Sequence, residues 1–193
     1  MTPPTSTSDV RVAPIPAADC SPQQGRLLES VGGHGAANVF TTLVAHSQLF
    51  ELWLPLCLYL RRCPDFSARH REMVILRTAW LCGAHDEWAH HVGFALESEL
   101  TEDEICALAG ALSADWTPQE CALLDAVDEL HSKRTVTDET WNRLAAFLDT
   151  AQLIALPMLV GQYTMLAGTL NALRVAIDDG VTAAQRSLGW SVR

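Results

Sequence analysis

Apolar residues recur at helical spacing through most of this chain, and the alternation typical of β-strands is almost absent. Ser21-Pro22 predicts a short helix that continues to about Ser30, where the sequence GGHGAAN interrupts it. Apolar positions then recur through residues 39–60, up to the Arg-Arg-Cys-Pro sequence that follows. This stretch predicts two helices that meet near Ser47.

A second group of helices is predicted around Gly83, which marks a break between two of them. One of the two begins near Ser67, and the other covers about residues 86–99. Further helices begin at capping motifs: Thr101–Glu104, Thr117–Glu120 and Thr137–Asp138. The last of these helices continues to Leu148. The predicted fold class is therefore all-α.

Residues 151–173 contain no charged side chain, and an apolar run of this length could in principle span a bilayer. However, Gln152, Gln162, Pro157 and two glycines lower the hydrophobicity of the segment below that of a typical membrane span. We predict a helix that is buried on all sides, in the core or at a subunit contact, and no association with a membrane.

Composition indicates a soluble globular protein, because 49% of the 193 residues are hydrophobic and 19% are charged. The formal net charge is -10, and no cluster of Lys or Arg is interleaved with aromatic residues, so no nucleic-acid partner is expected. The six cysteines lack a Cys-x-x-Cys pair, which favours reduced, apolar buried thiols in a cytoplasmic protein. The first twenty residues lack the apolar region of a signal peptide and predict a mobile or surface-draped arm.

Titratable residues are crowded into the sequence GAHDEWAHH, which follows the predicted break at Gly83. On a helix, Glu87 lies one turn before His90 and His91, so a carboxylate and an imidazole would project from one face and could share a proton. Glu72 would face the same cleft if the two helices fold back on each other. Two carboxylates around a histidine in an apolar pocket would form an acid/base site.

Two other interpretations of these residues remain open. A Glu-His pair on a helix is often an ordinary polar contact, and adjacent histidines cannot share one face. Glu87-x-x-His90 also has the spacing of a carboxylate-bridged di-iron site, for which Asp128-x-x-His131 offers a second half. Such a site would need bridging carboxylates, for which only Glu51 and Glu72 could be proposed, and nothing in the sequence pairs them.

The sequences REMVILRTAWLCGAHDEWAHHVGFA and LTEDEICAL resemble the carboxymuconolactone decarboxylase and alkylhydroperoxidase-D-like (AhpD-like) superfamily. The resemblance extends over roughly residues 38–175. It implies an AhpD-like helical bundle at residues 21–178, between an N-terminal arm at 1–20 and a C-terminal tail at 179–193. It also implies a homo-oligomer, either a trimer or a hexamer.

The peroxidase branch of that superfamily has a Glu, a Cys-x-x-Cys motif and a His. The Glu and His correspond to Glu72 and His91, but the two cysteine positions hold Ala84 and Glu87. Loss of both cysteines removes the dithiol chemistry. Cys82, two residues before the first position, would lie on a different helix face. The chain therefore resembles the decarboxylase branch more closely.

This resemblance implies an enzyme that uses no metal and no organic cofactor. The expected catalytic residues are Glu72, Glu87 and His91, and the expected substrate-lining residues are His85, His90 and Cys82. The reaction would be acid/base chemistry on a small carbonyl or carboxylic compound: decarboxylation, lactone opening, dehydration or isomerisation. The alternatives are an alkylhydroperoxidase-like antioxidant activity and a non-catalytic ligand-binding or interaction protein.

Overall fold

The computed structural model describes residues 10–110 and 114–190, and within them helices are the only regular secondary structure. The all-α prediction is confirmed. The helices are α1 (Pro22–Ser30), α2 (Asn38–Leu43), α3 (Ser47–Arg62), α4 (Ala68–Cys82), α5 (His85–Glu97), α6 (Glu102–Leu108), α7 (Pro118–Lys133), α8 (Asp138–Ala145), α9 (Thr150–Leu173) and α10 (Ala183–Ser187).

Helix starts follow the capping motifs of the sequence. Thr101 and Thr117 form complete capping boxes, in which the threonine side chain accepts a backbone N–H and a glutamate reaches back to the threonine N–H. Helix α8 ends at Ala145, before the predicted Leu148, because Asp149 caps the start of α9 immediately afterwards. Helix α10 was not predicted, although a capping box at Thr182 marks its start.

Helix α4 is the centre of the bundle and packs against α5, α7 and α9. Its side chains Val74 and Ile75 lie in one apolar cluster with α7 and α9, while Met73 and Leu76 lie in a second cluster with α5 and α6. Arg77 also binds α7 through two hydrogen bonds to Asp128, of 2.7 and 2.8 Å. A helix buried on several sides can hold a side chain out of contact with water.

A tight turn at Gly83 joins α4 to α5. Gly83 adopts a left-handed conformation with φ of 64°, its N–H donates to the Trp80 carbonyl, and the Ala84 N–H donates to the Ala79 carbonyl at 2.9 Å. These are the two hydrogen bonds of a Schellman motif, and glycine adopts its left-handed position at little cost. The turn brings α5 back along α4, so Glu72 and His91, which are 19 residues apart in sequence, can meet.

The two ends of the described chain lie on the bundle surface. The Arg11 N–H donates to the Leu173 carbonyl, and the Ile15 N–H donates to the Thr41 carbonyl, both at 3.0 Å. Residues 10–20 of the predicted arm are thus draped over the fold, and residues 1–9 of that arm lie outside the described residues. The C-terminal segment packs its α10 against α5.

Two stretches, Asn38–Arg62 and Thr150–Leu173, are long and apolar enough to cross a membrane by length and composition alone. Half of the apolar window in Thr150–Leu173 is buried within this fold, against 28% of the window in Asn38–Arg62. Within one chain Thr150–Leu173 is therefore covered on its inner face only, and burial of its outer face at a subunit contact stays a prediction. Helices α3 and α9 together expose seven large apolar side chains: Leu49, Leu52, Leu56, Tyr59, Ile154, Met158 and Met165.

Candidate active site

A buried carboxylate and imidazole meet where α4 and α5 pack together. The Nδ1 atom of His91 lies 2.7 Å from Oε2 of Glu72, and both side chains are buried. The Arg71 Nε–H donates to the other Glu72 oxygen at 3.0 Å. Burial raises the pKa of Glu72, but His91 and Arg71 outweigh that effect and leave the pKa below its usual value. Glu72 is therefore an ionised carboxylate that fixes one nitrogen of His91.

Glu87 lies one turn before His91 on α5 and is also buried, with 4% of its surface exposed. Neither carboxyl oxygen has a hydrogen-bond partner among the described residues. The expected proton sharing between Glu87 and His91 is therefore not found, because His91 is hydrogen-bonded to Glu72. Burial, with the nearby charge of Asp86, raises the pKa of Glu87 well above its usual value. The burial of Glu87 thus favours its neutral acid form over the carboxylate.

Two aromatic rings pack edge-on against the His91 imidazole. The ring centroids of Tyr163 and Phe94 lie 5.2 and 5.4 Å from it. Tyr163 comes from the uncharged helix α9, and its buried hydroxyl has a pKa raised well above the usual value, first by burial and then by the charge of Glu72. These rings keep the imidazole in an apolar environment, in which a proton-transfer group is shielded from bulk water.

The guanidinium of Arg61, at the end of α3, lies beside this cluster. Its Nε atom is buried and has no hydrogen-bond partner among the described residues. Burial raises the pKa of Cys57 to about 12, and the charge of Arg61 opposes that rise, as it does for Tyr163. A guanidinium whose buried Nε lacks a hydrogen-bond partner in the described part of the chain is suited to binding an anionic group.

A glycine-rich segment between α1 and α2 contacts one of the aromatic rings of the site. His34 of this segment packs edge-on against Phe94, with ring centroids 5.7 Å apart, and Phe94 in turn covers His91. Gly32 begins the segment in a left-handed conformation with φ of 79°. His34 is exposed, so the segment forms the boundary between the buried pair and solvent.

His90 lies on α5 next to His91, but its side chain forms contacts with a different part of the protein. Its Nδ1–H donates to the Asp86 carbonyl and its Nε2–H donates to Oδ2 of Asp178, both at 2.8 Å. Burial lowers the pKa of His90, but Asp178 and Asp86 raise it to about 9. Burial raises the pKa of Asp86 to about 6.

The other predicted lining residues also form contacts away from the Glu72–His91 pair. His85 donates from Nε2 to the Arg186 carbonyl at 2.8 Å and stacks on Trp190, with ring centroids 4.4 Å apart. The sulfur of Cys82 lies 3.8 Å from Nδ1 of His131. Of the six cysteines, Cys57 and Cys63 are buried and the other four are partly exposed, so the prediction that all six are buried is wrong.

The residues of the di-iron alternative do not converge. Both carboxylate oxygens of Asp128 accept hydrogen bonds from Arg77, and Glu51 is exposed, with its carboxylate 3.5 Å from the side-chain nitrogen of Gln23. Neither oxygen of Glu87 has a hydrogen-bond partner among the described residues, while His90 bonds Asp178 instead.

The site is thus a glutamate–histidine pair held between two helices of an all-α bundle. Residues 47–129 match the family model of the carboxymuconolactone decarboxylase family. The match covers 83 of the 193 residues, so this part of the chain is similar to that family, in line with the resemblance seen in the sequence. The comparison with curated proteins found no match.

Solved structures share the fold at low sequence identity. A cysteine-to-alanine variant of the debrominase Bmp8 in complex with 2,3,4-tribromopyrrole has a TM-score of 0.77 and 15% identity, covering 97% of this chain and 100% of that chain. An AhpD-core, peroxidase-related protein from Ralstonia eutropha JMP134 has a TM-score of 0.74 and 16% identity, covering 92% and 98%. A protein of unknown function from Agrobacterium tumefaciens, proposed to be the antioxidant defence protein AhpD, has a TM-score of 0.62 and 19% identity, covering 68% and 92%.

Three residues near these sites were not singled out from the sequence: Arg61, Tyr163 and Asp178. Tyr163 had one usable signal, since it contributes a phenol to a helix that is otherwise without titratable groups. Arg61 and Asp178 lie in ordinary polar surroundings in the sequence, so only the tertiary fold identifies them.

Proposed function

We propose that this protein is an enzyme that performs general acid/base chemistry, without an organic cofactor, on a small carbonyl or carboxylic compound. The observation that carries the proposal is the buried 2.7 Å contact between Glu72 and His91. A carboxylate that holds one imidazole nitrogen leaves the other nitrogen oriented for proton transfer. The match to the family model and the structural likeness to a debrominase support enzymatic activity in general.

Each group has a distinct role in the proposed chemistry. Glu72 accepts the Nδ1–H of His91, so Nε2 of the neutral imidazole carries the lone pair that removes a proton. Loss of that proton, or of carbon dioxide from a carboxylate, leaves an enolate on the substrate. The neutral carboxyl of Glu87 can donate a hydrogen bond to the enolate oxygen. After proton removal, the imidazolium returns its proton to carbon; after loss of carbon dioxide, Nε2 of His91 must first take up a proton from water and then deliver it to carbon.

Arg61 supports an anionic substrate. A substrate carboxylate would pair with the guanidinium, whose Nε lacks a hydrogen-bond partner among the described residues. We expect Arg61→Met to raise KM for an anionic substrate on the order of 10–100-fold, as for loss of a hydrogen bond to a charged group, with a smaller change in kcat. Steady-state kinetics would measure both constants.

The matched control for Arg61 is the next residue. Arg62→Met also removes one guanidinium from the end of α3, but Arg62 is exposed and its known contact uses only its backbone carbonyl. KM should therefore stay near its original value in that variant. Equal changes in KM for both variants would contradict a specific role for Arg61.

The test of the proposed function is exchange of carbon-bound hydrogen. The protein is incubated in D₂O with a panel of small keto acids and lactones, and proton NMR follows loss of the signal from the carbon next to the carbonyl. An acid/base site should catalyse exchange, decarboxylation or ring opening of at least one compound. A panel in which every compound reacts at the rate of buffer alone would refute the proposal for these substrate classes.

The thiols support the alkylhydroperoxidase alternative less well. Cys57 interacts electrostatically with Arg61 and Glu87. However, burial raises the pKa of its thiol to about 12, so Cys57 is not a thiolate at neutral pH. Ala84, at the first redox position, is buried within an apolar cluster. The buried, ionised carboxylate of Glu72 argues against a non-catalytic interaction protein. Burial of a charge costs free energy, and a protein without a reaction has no use for that cost.

We also propose that the chain forms a homo-oligomer, a trimer or a hexamer, in the cytoplasm. The seven exposed apolar side chains of α3 and α9 support a contact with a second copy. Light scattering should report a multiple of the 21.1 kDa chain mass. The double variant Leu52→Glu/Ile154→Glu should lower that mass towards one chain, because a buried contact would then contain unpaired carboxylates.

The control for assembly is Trp141→Glu. Trp141 is 46% exposed but lies on α8, away from the α3 and α9 surface. This variant should keep the original mass. A wild-type protein that scatters as a single chain at micromolar concentration would contradict the proposed assembly.

A further inference from the structure

We propose that Asp86, His90 and Asp178 form a binding site for one divalent transition-metal ion, of the kind represented by Zn²⁺. One ligand atom from each residue lies within 4.8 Å of the others, and the site is empty. The site is separate from the Glu72–His91 pair. Asp86 and His90 lie on α5, while Asp178 lies beyond α9, so the ion would join α5 to the C-terminal segment.

Two of the ligands already have their second polar atom bound elsewhere. The Nδ1–H of His90 donates to the Asp86 backbone carbonyl at 2.8 Å, which directs Nε2 towards Asp178. Oδ1 of Asp178 accepts the Asn38 N–H at 2.9 Å, which leaves Oδ2 facing His90. Metal-binding histidines and carboxylates are commonly held by such second hydrogen bonds.

The third ligand, Asp86, has a buried oxygen, Oδ1, that lacks a hydrogen-bond partner among the described residues. This oxygen lies 3.6 Å from Nδ1 of His90, which is within ion-pair range but too long for a hydrogen bond. The Asp86 side chain is 92% buried, since its relative exposure is 8%. A buried carboxylate oxygen without a partner is costly unless a ligand pairs with it. A bound cation would supply that partner.

The distances require only a small adjustment. Zinc bonds to nitrogen and oxygen at about 2.0–2.2 Å in tetrahedral geometry, so two of its ligands are about 3.4 Å apart. Nε2 of His90 and Oδ2 of Asp178 are 2.8 Å apart and would have to separate by roughly 0.6 Å when the ion replaces the proton between them. Rotation of the Asp86 carboxyl would bring the third ligand within range.

Charge and ligand type indicate the kind of ion. Two carboxylates and a neutral imidazole carry a charge of about −2, which a divalent cation neutralises. On binding, the ion replaces the proton on Nε2 of His90, and that proton passes to the buffer. The positive charge of Arg186 lies close to the site, because its guanidinium donates a hydrogen bond to the Asp178 backbone carbonyl at 2.6 Å, and this charge partly repels a bound cation. An imidazole ligand favours zinc and cobalt over magnesium and calcium.

The experiment is equilibrium dialysis of the full chain against Zn²⁺ at pH 8, after treatment with a chelator. We expect one ion per chain and, at a Zn²⁺ concentration about 100 times Kd, a Tm increase of roughly 5–10 °C. Asp86→Asn, Asp178→Asn and His90→Gln should each weaken binding by at least about tenfold. The Tm of each variant without metal shows whether the variant folds.

The matched control is Asp179→Asn. Asp179 is the exposed neighbour of Asp178, so its replacement removes the same charge without removing a ligand and should leave Kd unchanged.

Substitution with Co²⁺ identifies the ligand type, because cobalt bound by thiolates absorbs strongly in the near ultraviolet and cobalt bound by imidazole and carboxylate does not. Absence of Zn²⁺ binding, retention of binding in all three ligand variants, or a thiolate spectrum would each overturn the proposal.

Discussion

His91→Ala is expected to lower kcat on the order of 10²–10⁴-fold, the usual contribution of a positioned general acid or base. Glu72→Gln should cause nearly as large a loss, because the amide keeps the shape of the side chain but can present its nitrogen to His91 and select the wrong tautomer. Both effects follow from the buried 2.7 Å contact between the two side chains. The measurement is kcat on whichever compound the hydrogen-exchange panel identifies.

Two histidine controls distinguish this role from general damage to α5 or to the fold. His90→Ala should reduce kcat much less, since His90 contacts Asp178 and Asp86 instead of Glu72. His131→Ala, beside Cys82, should leave kcat unchanged. If His90→Ala proved as damaging as His91→Ala, the assignment of the proton-transfer residue to His91 would be wrong.

Glu87→Gln is expected to lower kcat by about 10²-fold or more and, at the same time, to stabilise the fold increasingly as pH rises. The pKa of Glu87 is raised in the folded state, so above the ordinary pKa of a glutamate the unfolded chain loses a proton that the folded chain keeps. The wild-type free energy of unfolding therefore falls with pH until the folded pKa is reached. Glutamine cannot ionise, so the variant is free of this loss.

The size of the effect follows from the linkage between protons and folding. The stability difference between Glu87→Gln and the wild type should grow by up to about 1.4 kcal/mol per pH unit above the ordinary glutamate pKa. Urea unfolding at pH 5.5 and pH 7.5, with a chelator present, measures this difference.

The control is Glu97→Gln, which removes an exposed carboxylate from the same helix. Asp86, whose pKa is raised to about 6, titrates in all three proteins, so its effect largely cancels in the comparison. A stability difference for Glu87→Gln that does not change with pH would show that Glu87 is already ionised in the folded protein.

Helical spacing and caps were sufficient to predict most of the fold. Thr101, Thr117 and Gly83 form local hydrogen bonds that depend on a few neighbouring residues, so their effect can be inferred from the sequence. The end of α8 was predicted too late, because the start of the next helix competes for the same residues. Helix α10 is short, and its position depends on contacts with α5.

The candidate site was less predictable, because its geometry depends on contacts between helices. The sequence placed Glu72, Glu87 and His91 on adjoining helices, but it paired His91 with the wrong carboxylate. Glu87 is nearer in sequence, yet the Schellman turn at Gly83 directs Glu72 of α4 towards the imidazole. The contact between His90 and Asp178 spans 88 residues, and no local pattern indicates such a pair.

The uncharged helix α9 has a consequence for the synthesis of this protein on the ribosome. Helix α4 packs against α9, and Ile75 of α4 shares an apolar cluster with Leu156 and Leu159. Helix α9 begins at Thr150, so some seventy residues are translated between the end of α4 and the start of α9. During that time, about 4–14 seconds at ordinary elongation rates, the face of α4 that packs on α9 stays exposed. The bundle can therefore close only after α9 has been translated, and a chain that stalls before that point exposes apolar surface that molecular chaperones bind.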